Sequence, residues 1–130
     1  MKDTTNVTSF IADWFERFDQ LAPIGSFLPD LHPQVHWDMP DTDPDLHGHD
    51  RVRDWYDKVL ATFTRPTEHH VTDIQVSDHD ATFNVLFRGR THQGELIELS
   101  VRETWRFEIR ADGRPLITQY SASLPYEAPQ

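Results

Sequence analysis

The chain has 130 residues and no cysteine, which bounds it to one domain, residues 1–130, and rules out disulfides, thiolate metal sites and a cysteine nucleophile. Twelve Lys and Arg against 22 Asp and Glu give a formal charge of −10. Such a field disfavours nucleic acid and anionic membrane surfaces, and leaves a small neutral or cationic ligand or a protein partner.

The opening MKDTTNVTS lacks the apolar core of a signal peptide and no apolar run nears a membrane span, so a soluble, untargeted, cytoplasmic protein is expected. Residues 1–7 and 125–130 read as loose ends. From Phe10, the residues Ile11, Trp14, Phe15, Phe18, Leu21 and Ala22 keep helical spacing, with Asn6 or Thr8 as cap and Pro23-Ile24-Gly25 as stop. Ser26 to His32 has room for one helical turn before Pro33. Val35, Trp37 and Met39 then alternate with polar residues in a short strand closed by Pro40, followed by an acidic loop, DTDPD. A second helix is predicted over Asp50 to Phe63, with Val52, Trp55, Tyr56, Val59, Leu60 and Phe63 as its apolar stripe. Four strands follow: His69 to Val76, Ala81 to Arg90, Gly94 to Arg110 and Leu116 to Leu124, with Asp112-Gly113 as a hairpin turn. Helices first and a meander afterwards predict an α+β fold, with the helices on one face of a curved antiparallel sheet.

The stretch Gly94 to Arg110 alternates most cleanly. Ile97, Leu99, Val101, Glu103, Trp105, Phe107 and Ile109 share one face, and that face is apolar except for Glu103. A carboxylate there must find partners or take up a proton, and either outcome makes it a candidate for chemistry. A structural ion pair, or a bulge that turns Glu103 to solvent, would account for it equally well.

An aromatic first helix, VHWDMP, HGHDRVRDWYDKVL, EHHVTDIQV, ATFNVLF and ETWRFEI before a DG turn, in this order, resemble the nuclear transport factor two-like superfamily. Within it they resemble the ketosteroid isomerase and SnoaL-like polyketide cyclase branches. The resemblance covers Phe10 to Leu124. It implies a cone in which the bent sheet wraps the helices around a deep apolar pocket, in a homodimer formed through the outer sheet face. It also implies chemistry that needs no cofactor or metal: isomerisation, cyclisation or dehydration of an apolar, carbonyl-containing molecule. Asp38 matches the general base of the isomerase branch, Glu103 its protonated late-strand acid and Tyr56 a supporting tyrosine, while Trp14 stands where the first-helix tyrosine belongs. A ligand-binding or dimerisation module with the same fold is the alternative, since one fold hosts many functions.

Strict alternation sets Asp38 opposite Trp37 and Met39, so both cannot face the pocket. The resemblance also implies that one of His69 and His70, at the head of its strand, lines the pocket, where an imidazole can serve as acid, base or donor; a surface histidine on an edge strand accounts for the pair equally well. The aromatic residues Trp14, Phe18, Trp37, Phe63, Phe83, Trp105 and Tyr120 would line a site for a flat apolar or aromatic molecule, although such residues also build cores. His47 and His49 with Asp50 make a weak metal-like grouping without a third ligand at a recognisable spacing.

Overall fold

The computed structural model of the chain describes residues 4–39 and 45–123; the expected acidic loop and the two chain ends lie largely outside them. Helix α1 spans Thr4–Asp19, starting earlier than either expected cap. It stops before Pro23 because the backbone turns at Leu21, with φ +50°. There the Ala22 N–H reaches the Arg17 carbonyl at 3.0 Å and the Leu21 N–H reaches Phe18 at 2.8 Å. This is a Schellman closure in which a leucine occupies the place usually given to glycine. The single helical turn expected over Ser26 to His32 is instead a pair of 3-10 turns, Ile24–Ser26 and Leu28–Asp30.

Strand β1 is Leu31–Asp38 and begins four residues before the expected Val35. The two-residue β2, Leu46–His47, pairs with it. Gly48, at φ +90°, then turns the chain into helix α2, His49–Thr62. The remaining strands are β3 (Phe63–Val76), β4 (Asp80–Thr91), β5 (Leu96–Ile109) and β6 (Pro115–Ser123). β3 starts six residues before the expected His69 because Pro66 does not block it: β3 is an edge strand, and Pro66 falls in a break of register between Thr64 and Glu68.

The six strands form one curved, open sheet in the order β2-β1-β6-β5-β4-β3. It is antiparallel as expected except at one junction, where β6 runs parallel to β1. The meander from β3 to β6 brings the last strand alongside the first, and the long excursion through α2 allows the two to share a direction. Phe10, Trp14 and Phe15 of α1 pack against Trp105, Phe83 and Tyr120 of the concave face, while Phe18 meets Phe27, Tyr56 and His69. The rings meet edge to face or tilted, as between Trp14 and Trp105 (5.6 Å, 71°) and between Phe83 and Trp105 (5.2 Å, 79°).

One end of this core is tied by a buried ion cluster. Asp30 is 2% exposed, and its carboxylate accepts from Arg17 Nη2 at 3.0 Å, Arg110 Nη2 at 3.1 Å and Arg114 Nε at 2.8 Å. Burial pushes its carboxyl up, but hydrogen bonds and charge from Arg114 and Arg17 outweigh this and hold it below the usual carboxylate value. Removing the negative charge leaves guanidinium groups facing one another. Asp30→Asn is therefore expected to cost about 3 kcal/mol of stability, near the low end for a broken buried pair because Arg114 is partly solvated; urea unfolding of the two proteins measures it.

Candidate functional site

Alternation along β4 and β5 builds the wall of a cavity of about 420 Å³. Phe83 pairs with Glu103, Val85 with Val101, Phe87 with Leu99 and Gly89 with Ile97, so the odd-numbered residues of both strands face inward. Phe18 of α1, Met39 after β1, and Trp55, Val59 and Phe63 at and beyond α2 supply the opposite wall. The lining is apolar apart from Lys58, Thr62, His69, Glu103 and Tyr120.

His69 is the buried member of the histidine pair, its side chain 6% exposed, whereas His70 is exposed. Its ring stacks on Phe15 at 4.7 Å and tilts against Phe18 and Phe87. Nδ1 lies 2.6 Å from Oδ1 of Asp19, the last residue of α1. The same carboxylate also accepts the Thr67 hydroxyl at 3.0 Å and the His69 backbone N–H at 3.3 Å. An ionised carboxylate can only accept, so Nδ1 carries the proton and Nε2 is the nitrogen available to a ligand. Asp19 was absent from the sequence expectations. Its signal is faint: it lies four residues beyond Phe15, at the border of the aromatic stripe, where a solvent-facing aspartate looks the same.

Glu103 is 4% exposed. Its Oε1 accepts the Trp105 indole N–H at 3.0 Å, and the Tyr120 hydroxyl stands near enough to favour its ionised form. Burial pushes its carboxyl up from 4.5 to about 7, and the bonds from Trp105 and Tyr120 offset only part of that. Tyr120 in turn is held well above the usual phenol value, first by burial and then by Glu103. The phenol partner that Trp14 cannot be is thus supplied from β6. Trp14 lies below this group; its Nε1–H has no well-aligned acceptor, although it is near enough to Tyr120 to favour the ionised phenol.

Phe18, Phe63, His69, Glu103 and Tyr120 of the expected site residues line the cavity together; Asp38, Tyr56, Trp14, Trp37, Phe83 and Trp105 do not. Asp38 belongs to the opposite face of β1 from buried Trp37 and Met39, and its Oδ1 accepts the Asp45 N–H at 3.2 Å. Tyr56 turns into the packing between α2 and the core, where its hydroxyl donates to the Ala22 carbonyl at 2.5 Å and burial raises its pKa to about 12. Trp37 stacks on Tyr120 at 4.1 Å and supports the cavity from behind, while Phe83 and Trp105 are fully packed. The grouping of His47, His49 and Asp50 does not form, because His49 Nε2 is engaged with the Leu31 carbonyl at 2.9 Å.

A model of the SnoaL-like domain matches residues 11–118. The chain belongs to the SnoaL-like domain family. Solved structures of this fold include a nuclear transport factor two-like protein of unknown function from Burkholderia pseudomallei, 21% identical, with a TM-score of 0.73 over 92% of this chain and 91% of that one. A ketosteroid isomerase-like protein from Erwinia carotovora atroseptica is 14% identical, with a TM-score of 0.72 over 95% and 96% of the two chains. TerC, co-crystallised with polyporic acid, is 15% identical, with a TM-score of 0.71 over 92% and 91%. No curated protein matches the sequence. At these identities the neighbours share a fold with this SnoaL-like domain. Its site must be read from its own residues.

The raised pKa of Glu103 has a defined consequence for stability. Below pH 4.5 folded and unfolded chains both hold the proton; between 4.5 and about 7 only the folded chain keeps it, and above 7 neither does. Stability from this group is therefore full below pH 4.5 and lost as the pH rises to about 7, a change on the order of 3 kcal/mol. Glu103→Gln has no proton to lose. Melting curves from pH 5 to 8 are expected to show the variant gaining on the parent as the pH rises, and a constant difference would contradict the assignment.

Proposed function

We propose that this SnoaL-like domain is an acid–base enzyme that moves a proton beside the carbonyl of a small apolar molecule, without a redox cofactor. The observation that carries this reading is the convergence on one apolar cavity of an imidazole held by Asp19, a buried carboxylic acid held by Trp105, and the Tyr120 phenol. His69 Nε2 takes a proton from the carbon next to the carbonyl. The electron pair moves onto the carbonyl oxygen, where neutral Glu103 and the Tyr120 hydroxyl donate hydrogen bonds to the developing charge. The imidazolium, stabilised by Asp19, returns the proton to a different carbon for isomerisation, or to a departing hydroxyl for dehydration. Val85, Phe87, Val101 and Phe18 keep water from competing for these bonds. Asp38, placed on the other face of its strand, takes no part in the step, and Tyr56 acts only through packing.

A non-catalytic ligand-binding module is the second reading, favoured by the fact that Glu103 and His69 each already have a partner inside the protein. Deuterium exchange next to the carbonyl, followed by NMR in D2O for a panel of aromatic and alicyclic ketones, separates the two. The enzyme reading expects exchange that falls about 100-fold or more in His69→Gln. Asp19→Asn, which no longer enforces the tautomer, is expected to lower the rate with little change in ligand affinity. The parent rate should decline above pH 7 as Glu103 ionises, and this decline should be absent from Glu103→Gln. Ligands that bind without exchange would leave the binding module as the function. Exchange unchanged in His69→Gln would remove that residue as the base.

A further inference from the structure

On the free edge of the sheet, away from the cavity, β1 and β2 bring three metal-ligating side chains together. His36 and His47 are direct cross-strand partners, their rings parallel within 3° and 4.7 Å apart. Alternation explains the placement: Val35, Trp37 and Met39 point into the core, so His36 points outward beside its partner. Both Nε2 atoms close on a single carboxylate oxygen, Asp45 Oδ1, at 3.0 Å from His36 and 3.1 Å from His47. Asp45 sits at φ +59° with its N–H held by Asp38 at 3.2 Å, which aims its carboxylate at the pair.

His36 Nε2 is a buried atom without a well-aligned hydrogen-bond partner, even though Asp45 Oδ1 is only 3.0 Å away. The contact has the length of a hydrogen bond but not its direction. A shared cation would satisfy both nitrogens and the carboxylate at once. A tetrahedral ion with bonds of about 2.1 Å sets its ligands about 3.4 Å apart. The three ligand atoms here lie within 4.8 Å of one another, so small rotations of exposed side chains complete the geometry. His47 and Asp45 side chains are 62% and 78% exposed, leaving the fourth position to water. Two imidazoles and one carboxylate favour a borderline divalent ion over calcium or magnesium, which take oxygen ligands.

We propose that His36, Asp45 and His47 form a binding site for a divalent transition-metal ion of the zinc class. Bound there, the ion clips β2 to the edge of β1, the strand that leads into Met39 on the cavity wall. The test is calorimetric titration of the chelator-stripped full chain with Zn2+, with Co2+ absorption reporting the coordination geometry. One equivalent is expected to bind, weakened about tenfold or more by Asp45→Asn and about 100-fold by the His36→Gln/His47→Gln pair, while His70→Gln/His79→Gln leaves affinity unchanged. Circular dichroism checks that each variant folds, and Asp45→Asn alone decides if the double variant does not. No saturable binding by the parent, or equal affinity in Asp45→Asn and the parent, would overturn the site.

Discussion

Glu103 is a carboxyl group inside a wall of aromatic and aliphatic side chains, and the arrangement of the site depends on how that burial is tolerated. Its neighbours are neutral: the Trp105 indole donates to it and the Tyr120 hydroxyl stands close by. Neutral neighbours stabilise a carboxylate less than a cation does, so the folded chain holds the Glu103 proton up to about pH 7. Asp30 shows the contrast within the same molecule. It is also shielded from solvent, but it faces Arg17, Arg110 and Arg114 and stays ionised. One carboxylate ties the structure together, and the other is left able to give and take a proton. The charge of the partners sets the two apart: guanidinium groups surround Asp30, while Glu103 has only neutral neighbours.

Holding Glu103 this way requires the concave face to be packed nearly without gaps on one side and left open on the other. The Trp14, Trp105, Tyr120 and Trp37 rings fill the first region, each against the next. In the second, Val85, Phe87, Ile97 and Leu99 face a cavity rather than a helix. Helix α1 marks the border. Its first turns cover the packed region, and its last residue, Asp19, reaches the edge of the open one and fixes His69. The Schellman turn at Leu21 ends the helix there, so the local geometry of a helix terminus positions half of the proposed catalytic pair.

Much of this was legible in the residues. Period-3.6 and period-2 patterns located both helices and the four long strands, and alternation alone identified Glu103 as the polar residue of an apolar face and set Asp38 against Trp37 and Met39. Element starts were less legible, because Pro33 and Pro66 read as breaks although each falls where the pairing shifts register, Pro33 between β1 and β6 and Pro66 on the edge strand β3. The weak grouping of His47 with His49 and Asp50 was suggested by closeness in sequence alone, whereas the pairing of β1 with β2 sets His47 beside His36.

The sequence by itself determined the fold class, the inward face of the long strand and the presence of a carboxyl group where a charge is costly, because these follow from periodicity and from the solvation of single residues. Only the tertiary structure decided the partners. Asp19 and His69 are 50 residues apart, Glu103 and Tyr120 come from neighbouring strands, and the last strand, β6, lies parallel beside the first, β1. No local pattern encodes such meetings, since each side chain satisfies its own helix or strand equally well without the other. Glu103 could be recognised as misplaced from one stretch of chain; that it keeps company with a phenol and shares a cavity with an imidazole is a property of the folded sheet.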